Sequence, residues 1–189
     1  MKVVIQKEEG TNEALLGMAL SYWDGEEPLS TWWTEKRYDK AFSRSKKLAF
    51  KQGGHNKFLE SIQLWFTVKA SRAFWSEFDT YRVGVTKQSA STMHTLKKRK
   101  LTKDDFTKDT LPFYINEFNS LLGLTTDINR LKDNLPEGFL QSRVICTNYK
   151  ALQGMIQQRK KHRLKEWPEF CEQIMEQTAH PYYLIEQEL

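Results

Sequence analysis

Cysteine is scarce in this chain: Cys146 and Cys171 are the only two among 189 residues, and neither sits at metal-ligand spacing. That excludes a disulfide framework and a cysteine-built metal site, and it predicts structural thiols in a reducing, cytoplasmic setting. Long apolar runs are missing too. None approaches the roughly 20 residues that cross a bilayer, and the first residues carry no signal-peptide pattern, so neither membrane insertion nor secretion is expected. Acid is in deficit, with 24 Asp and Glu against 29 Lys and Arg, giving a formal charge of +5 and a pI of about 9.1. This balance favours an anionic partner, whether nucleotide, cofactor phosphate or nucleic acid.

What is present is aromatic. Phe, Trp and Tyr make up 13% of the chain, with six Trp, and a hydrophobic content of 39% is ordinary for a globular protein. Together they promise one well-packed core, so residues 1–189 are expected to form a single domain.

The most patterned stretch runs from Gly53 to Arg82. Ile62, Leu64, Phe66, Val68 and Ala70 alternate with Ser61, Gln63, Thr67 and Lys69, which predicts a half-buried strand from Phe58 to Ala70. Carried back at the same parity, the alternation puts Glu60 on the core side, close to His55 and the turn-permitting Gly53-Gly54. A buried carboxylate needs a partner; at a frayed strand end it is simply solvated, and periodicity leaves both readings open. Ser71 then caps an aromatic helix that places Phe74 and Phe78 on one face and delivers Arg82 at its end. Gly84 breaks it, and the hydroxyl-rich segment 86–92 reads as a loop. An arginine followed by hydroxyls suits an anion site, and it equally suits any helix end running into a polar loop.

Elsewhere the pattern predicts a short strand at Lys2–Gln6, a helix from Thr11 or Asn12 to about Ser21, and a loop at 26–34. An amphipathic helix with a basic outer face then runs from Thr34 to Ala49, and further helices cover Leu111–Leu122 and the residues following Thr126. Lys97-Lys98-Arg99-Lys100 is a compact basic cluster, either an exposed loop or a nucleic-acid contact. Gln141–Thr147 is β-prone, and the helix that follows carries the stripe Leu152, Met155, Ile156, Arg159 and Arg163. Arg159 on an apolar stripe asks for an anionic partner or an escape to the rim. Pro168 starts a last helix with Phe170, Ile174 and Met175.

Two of these stretches resemble the flavin-dependent thymidylate synthases, also called thymidylate synthase complementing proteins. The family's His-x-x-x-x-Glu segment, its Arg-His-Arg and the serine beyond correspond to His55 and Glu60, Thr80-Tyr81-Arg82, and Ser91. Its Arg-x-x-Leu-Pro, Asn-x-Arg-x-Leu and later Arg correspond to Lys132-Asp133-Asn134-Leu135-Pro136, Asn148-Tyr149-Lys150-Ala151-Leu152, and Arg159. Departures are plain. Thr80 and Tyr81 replace the first Arg and the His, the family's Ser-x-Arg-Tyr reads Ser91-Thr92-Met93-His94 or, in another register, Ser89-Ala90-Ser91-Thr92, an Asn becomes Gly154, and Leu164–Phe170 carries no convincing match to the later Gln-x-Glu-Ile signature.

The resemblance implies a ThyX-like α+β fold, a central, mainly antiparallel sheet with long helices packed on it, and a homotetramer with active sites at subunit interfaces. It further implies reductive methylation of dUMP to dTMP with methylenetetrahydrofolate, NADPH and FAD. On that basis Arg82, Ser91, Lys132 and Arg159 are expected at the nucleotide, with Arg159 the candidate catalytic group. Ser21, His55, Asn148 and Lys150 are expected at the flavin, with Glu60 orienting its neighbours there. The alternatives are a catalytically degenerate nucleotide-binding or nucleic-acid-binding regulatory protein that keeps the fold, or a relative acting on another pyrimidine. Both draw on the altered Thr80-Tyr81-Arg82.

Overall fold

A computed structural model describes residues 1–186. The chain opens with β1 (Lys2–Glu9), turns at Gly10, and enters α1 (Thr11–Ala19). Gly10 has φ +92°, and a side chain there would run into the Ser61 carbonyl, so only glycine fits this turn. A short helix, α2 (Leu29–Trp32), sits inside what the sequence offers as loop. Thr34 caps α3 (Glu35–Leu48) by accepting from Arg37 N–H at 3.4 Å.

β2 (Gln63–Ser71) carries the period-two alternation, with Leu64, Phe66, Val68 and Ala70 wholly buried. It begins five residues later than the sequence suggests. Phe58 and Leu59 are adjacent and both buried, which a strand with one core face cannot achieve but a tight turn can, and residues Lys57–Glu60 form a 3-10 turn. Glu60 ends that turn exposed to solvent, so its core-facing placement is corrected.

α4 (Arg72–Phe78) starts at a Ser71 cap that accepts from Phe74 N–H at 3.1 Å. It stops at Phe78 rather than reaching Arg82. β3 (Val85–Ser89) occupies most of the expected loop, followed by the short α5 (Thr92–Thr95). α6 (Pro112–Leu124) and α7 (Ile128–Asp133) lead to β4 (Leu140–Asn148). Asn148 caps α8 (Tyr149–Arg159), and α9 (Glu166–Gln177) is the last long element.

The four strands form one antiparallel sheet in the order β1-β2-β4-β3. Phe66 pairs with Ile145 across β2 and β4, and both point into the main core beneath α4, α8 and α9. The aromatic surplus collects there: Phe74 lies 4.6 Å from Trp167 and Phe66 lies 6.1 Å from Phe170 between ring centroids. A smaller second core of Leu96, Leu101, Phe106, Ile115, Phe118, Leu131, Leu135 and Phe139 fills the excursion between β3 and β4. The expected α+β architecture, an antiparallel sheet with helices packed on it, is what the structure has.

Candidate functional site

Ser21 and His55 stand on opposite sides of one recess. α1 and the turn after it present Glu13, Gly17, Met18, Ser21 and Tyr22, while the 53–61 segment supplies Gly54, His55, Lys57, Phe58 and Ser61. The recess holds about 530 Å³ and also takes Arg44 and Leu48 from α3. Gly53 and Gly54 both adopt left-handed φ (+74° and +86°), and this tight double turn sets His55 at the rim. Glu60 is not part of the lining. Its backbone carbonyl accepts from the Gln63 amide at 2.7 Å, and Gln63 pairs with Asn148 at the start of α8.

Asn148 is committed to structure at one end, accepting from Ala151 N–H at 2.9 Å as a helix cap. Its amide packs against Gly84, where an added Cβ would stand 2.9 Å from Nδ2. Thr147 Oγ donates to the Gly84 carbonyl at 2.8 Å. These contacts draw the 80–84 loop along α8 and leave Arg82 exposed beside it. Lys150, on the first turn of α8, is half-buried.

Arg159 finds the anion that its place on the apolar stripe requires. NH1 donates to Glu77 Oε2 at 2.9 Å and Nε donates to Tyr81 Oη at 2.9 Å, while the guanidinium lies 4.9 Å from the Trp167 ring centroid. Glu77 Oε2 also accepts from Trp167 Nε1 at 2.8 Å, and His162 stands 3.5 Å away. Two residues further, Asp79 takes two cations, Arg143 at 2.7 Å and Lys87 at 3.2 Å, with the Arg143 guanidinium 4.3 Å from the Trp75 ring centroid. The end of α4 is thus a knot of two carboxylates and three cations. Sequence reasoning misses Glu77, Asp79, Lys87, Arg143 and His162. The available signal was two acids flanking the buried Phe78 on a helix otherwise spent on aromatic packing.

Ser91 and Lys132 belong to a third place, the surface of the smaller lobe. Lys132 Nζ lies 3.8 Å from the Met93 sulfur, two residues beyond Ser91, so α7 meets the start of α5 there. The neighbouring basic cluster is partly spoken for. Arg99 makes two 2.6 Å contacts with Asp105, whose carboxyl is held below its ordinary value chiefly by those hydrogen bonds, and Lys97 donates to the Thr126 carbonyl.

The sequence-predicted residues therefore fall into three groups on one chain. Ser21 and His55 share the recess; Asn148, Lys150, Arg82 and Arg159 follow α8 and the loop beside it; Ser91 and Lys132 sit on the smaller lobe. Among the described residues, no cluster of three or more His, Cys, Asp or Glu side chains could hold a metal ion, and no helix is long and apolar enough to cross a membrane.

This architecture is the ThyX-like fold of flavin-dependent thymidylate synthases. Two solved structures share it across 98% of both chains: the ThyX enzyme of Helicobacter pylori complexed with FAD and dUMP, at 16% identity and TM-score 0.78, and Thymidylate Synthase X of the same organism with FAD and dUMP, at 15% identity and TM-score 0.80. No protein-family model and no curated protein matches the sequence. At this identity the likeness establishes the fold alone.

Proposed function

We propose that the chain, acting as one domain, is a flavin-dependent enzyme that methylates dUMP to dTMP reductively, with methylenetetrahydrofolate as carbon donor and NADPH as reductant. The observation that carries this reading is the recess: Ser21 and His55, 34 positions apart and both expected at the flavin by resemblance, face one cavity in a fold that two FAD-bound and dUMP-bound proteins share. Its volume falls in the ordinary range for ligand pockets, about 300–1,000 Å³. Its hydroxyls, imidazole and the cations Lys57 and Arg44 suit a ligand bearing hydroxyls and phosphates.

FAD, when bound, supplies hydride transfer, and the chain's own residues position and bind. Ser21 and His55 hold the cofactor at the recess, and Asn148 and Lys150 do so at the adjoining helix start. Glu60, solvated at the end of its turn, orients the backbone around Ser61. Arg82, Ser91 and Lys132 hold the nucleotide anion. Arg159 reaches substrate by exchanging Glu77 for it, so binding there competes with an internal ion pair. The residues proposed for the nucleotide are divided between the α8 side, with Arg82 and Arg159, and the smaller lobe, with Ser91 and Lys132, a division that fits a homotetramer in which copies complete each other's sites.

A second reading has its own support. Thr80 and Tyr81 replace a cationic Arg and a His, and the Tyr81 hydroxyl instead accepts from Arg159 Nε while Arg159 NH1 pairs with Glu77. That favours a relative that keeps the fold without the catalysis. The deciding measurement is the visible absorbance spectrum of the purified protein with and without added FAD, followed by dUMP titration. A flavin band perturbed by dUMP is the expected result, with weaker dUMP binding in Arg159→Ala. A colourless protein indifferent to excess FAD overturns the enzymatic reading in favour of the second.

A further inference from the structure

On α3, Arg37, Lys40, Arg44 and Lys47 recur at intervals of three or four residues and so share one helical face. No acid compensates them along the helix: Lys40 has Lys36, Arg37, Ser43 and Arg44 as its neighbours three and four positions away, and Arg44 has Lys40, Ala41, Lys47 and Leu48. Where this stripe meets α1 and α2 there is a cavity of about 150 Å³, walled by Met18, Ala41 and Trp32 and by the cations Arg37, Lys40 and Arg44.

The three cations are not equivalent. Arg37 is neutralised by Glu27 at 3.2 Å, donates to the Trp32 carbonyl and stacks 4.6 Å from the Trp32 ring centroid. Arg44 is held over the Tyr22 ring at 4.4 Å, and among the described residues neither Arg44 nor Lys40 makes an ion pair. The Tyr22 ring favours this position of the Arg44 guanidinium before any ligand arrives, which lowers the side-chain freedom lost on binding.

We propose that this cavity is a binding site for a phosphate monoester carried on a flat ring. Two uncompensated cations match a dianion rather than a monocarboxylate, since a phosphate monoester carries about −1.5 to −2 at pH 7. The apolar wall of Trp32, Met18 and Ala41 accepts the ring, which a volume about that of a cavity that takes benzene just admits, and the phosphate stays at the mouth with the exposed Lys40 and with Arg44. The remainder of the ligand lies across the mouth, where Tyr22 and Arg44 also border the larger recess. The cavity shares Met18, Tyr22 and Arg44 with the recess, but Lys40 and Trp32 line only this cavity and His55 lines only the recess, so Lys40→Glu and His55→Ala tell the two sites apart.

Phenyl phosphate titrated calorimetrically into the full chain tests it. Saturable binding is expected, weakened about tenfold or more in Lys40→Glu and in Arg44→Gln, which corresponds to about 1.4 kcal/mol or more. His55→Ala should bind as the parent does, and melting curves should show all three variants folded. Phenol should bind at least tenfold more weakly than phenyl phosphate, about the same energy interval. Absence of saturable binding, affinity unchanged in both α3 variants, or a loss confined to His55→Ala overturns the proposal. Glucose 6-phosphate binding as tightly as phenyl phosphate overturns the ring half of it.

Discussion

Arg159 shows what a single position reveals. Its place on an apolar stripe states that a partner is needed, but the partner, Glu77, lies 82 residues away and is invisible to periodicity. Removing that partner leaves the half-buried guanidinium without its counter-charge, still bonded to Tyr81, and the Trp167 indole N–H unsatisfied. Glu77→Ala is therefore expected to cost about 1–3 kcal/mol in urea unfolding, and an unchanged midpoint would deny the network its structural role. His180 gives a pH dependence. Burial lowers its affinity for protons below the ordinary value of 6.5; Glu8 at 3.9 Å opposes that shift and Lys46 adds to it. The unfolded chain thus binds the proton more readily, so stability is full above about pH 6.5 and declines as pH falls through it. Melting temperatures measured down to about pH 5 should show this slope, and His180→Asn should flatten it. Ser21 and His55 enter through the family resemblance alone, for a serine at a helix end and a histidine in a loop carry no periodic signal.

Among elements, β2 and β3 make the contrast. β2 announces itself because one face is wholly buried; β3 is an edge strand whose Thr86, Lys87, Gln88 and Ser89 offer no apolar alternation, so its sequence is indistinguishable from a polar loop. The premature start assigned to β2 has the same origin: Phe58 is apolar at the right parity, and only the burial of its neighbour Leu59 betrays the turn. The two cores also differ in reach. Phe66→Ala in the main core should cost about 3–5 kcal/mol of global stability. Phe118→Ala should instead loosen the smaller lobe first, raising amide exchange around α6 and α7 before β2 and β4. Equal protection loss in both regions would show one cooperative unit.

For the molecule as a whole, the order β1-β2-β4-β3 was beyond sequence reach, because strand neighbours are chosen by long-range packing rather than by local pattern. The fold class was legible, the grouping of site residues was not, and assembly is where the two meet. Sedimentation should give a tetramer if copies complete one another's sites; a stable monomer that still binds FAD and dUMP would place every needed group on one chain. Finally, β1 is clamped on its outer edge by α9: Val3 N–H donates to the Gln173 side chain at 2.8 Å and Ile5 N–H donates to that of Gln177 at 3.2 Å, 170 and 172 residues later. During synthesis at about 5–20 residues per second, the first strand waits roughly 10–30 s for that clamp. The nascent chain therefore spends that interval with an open sheet edge, and its yield in a cell should depend on how well that edge is sheltered while the ribosome finishes.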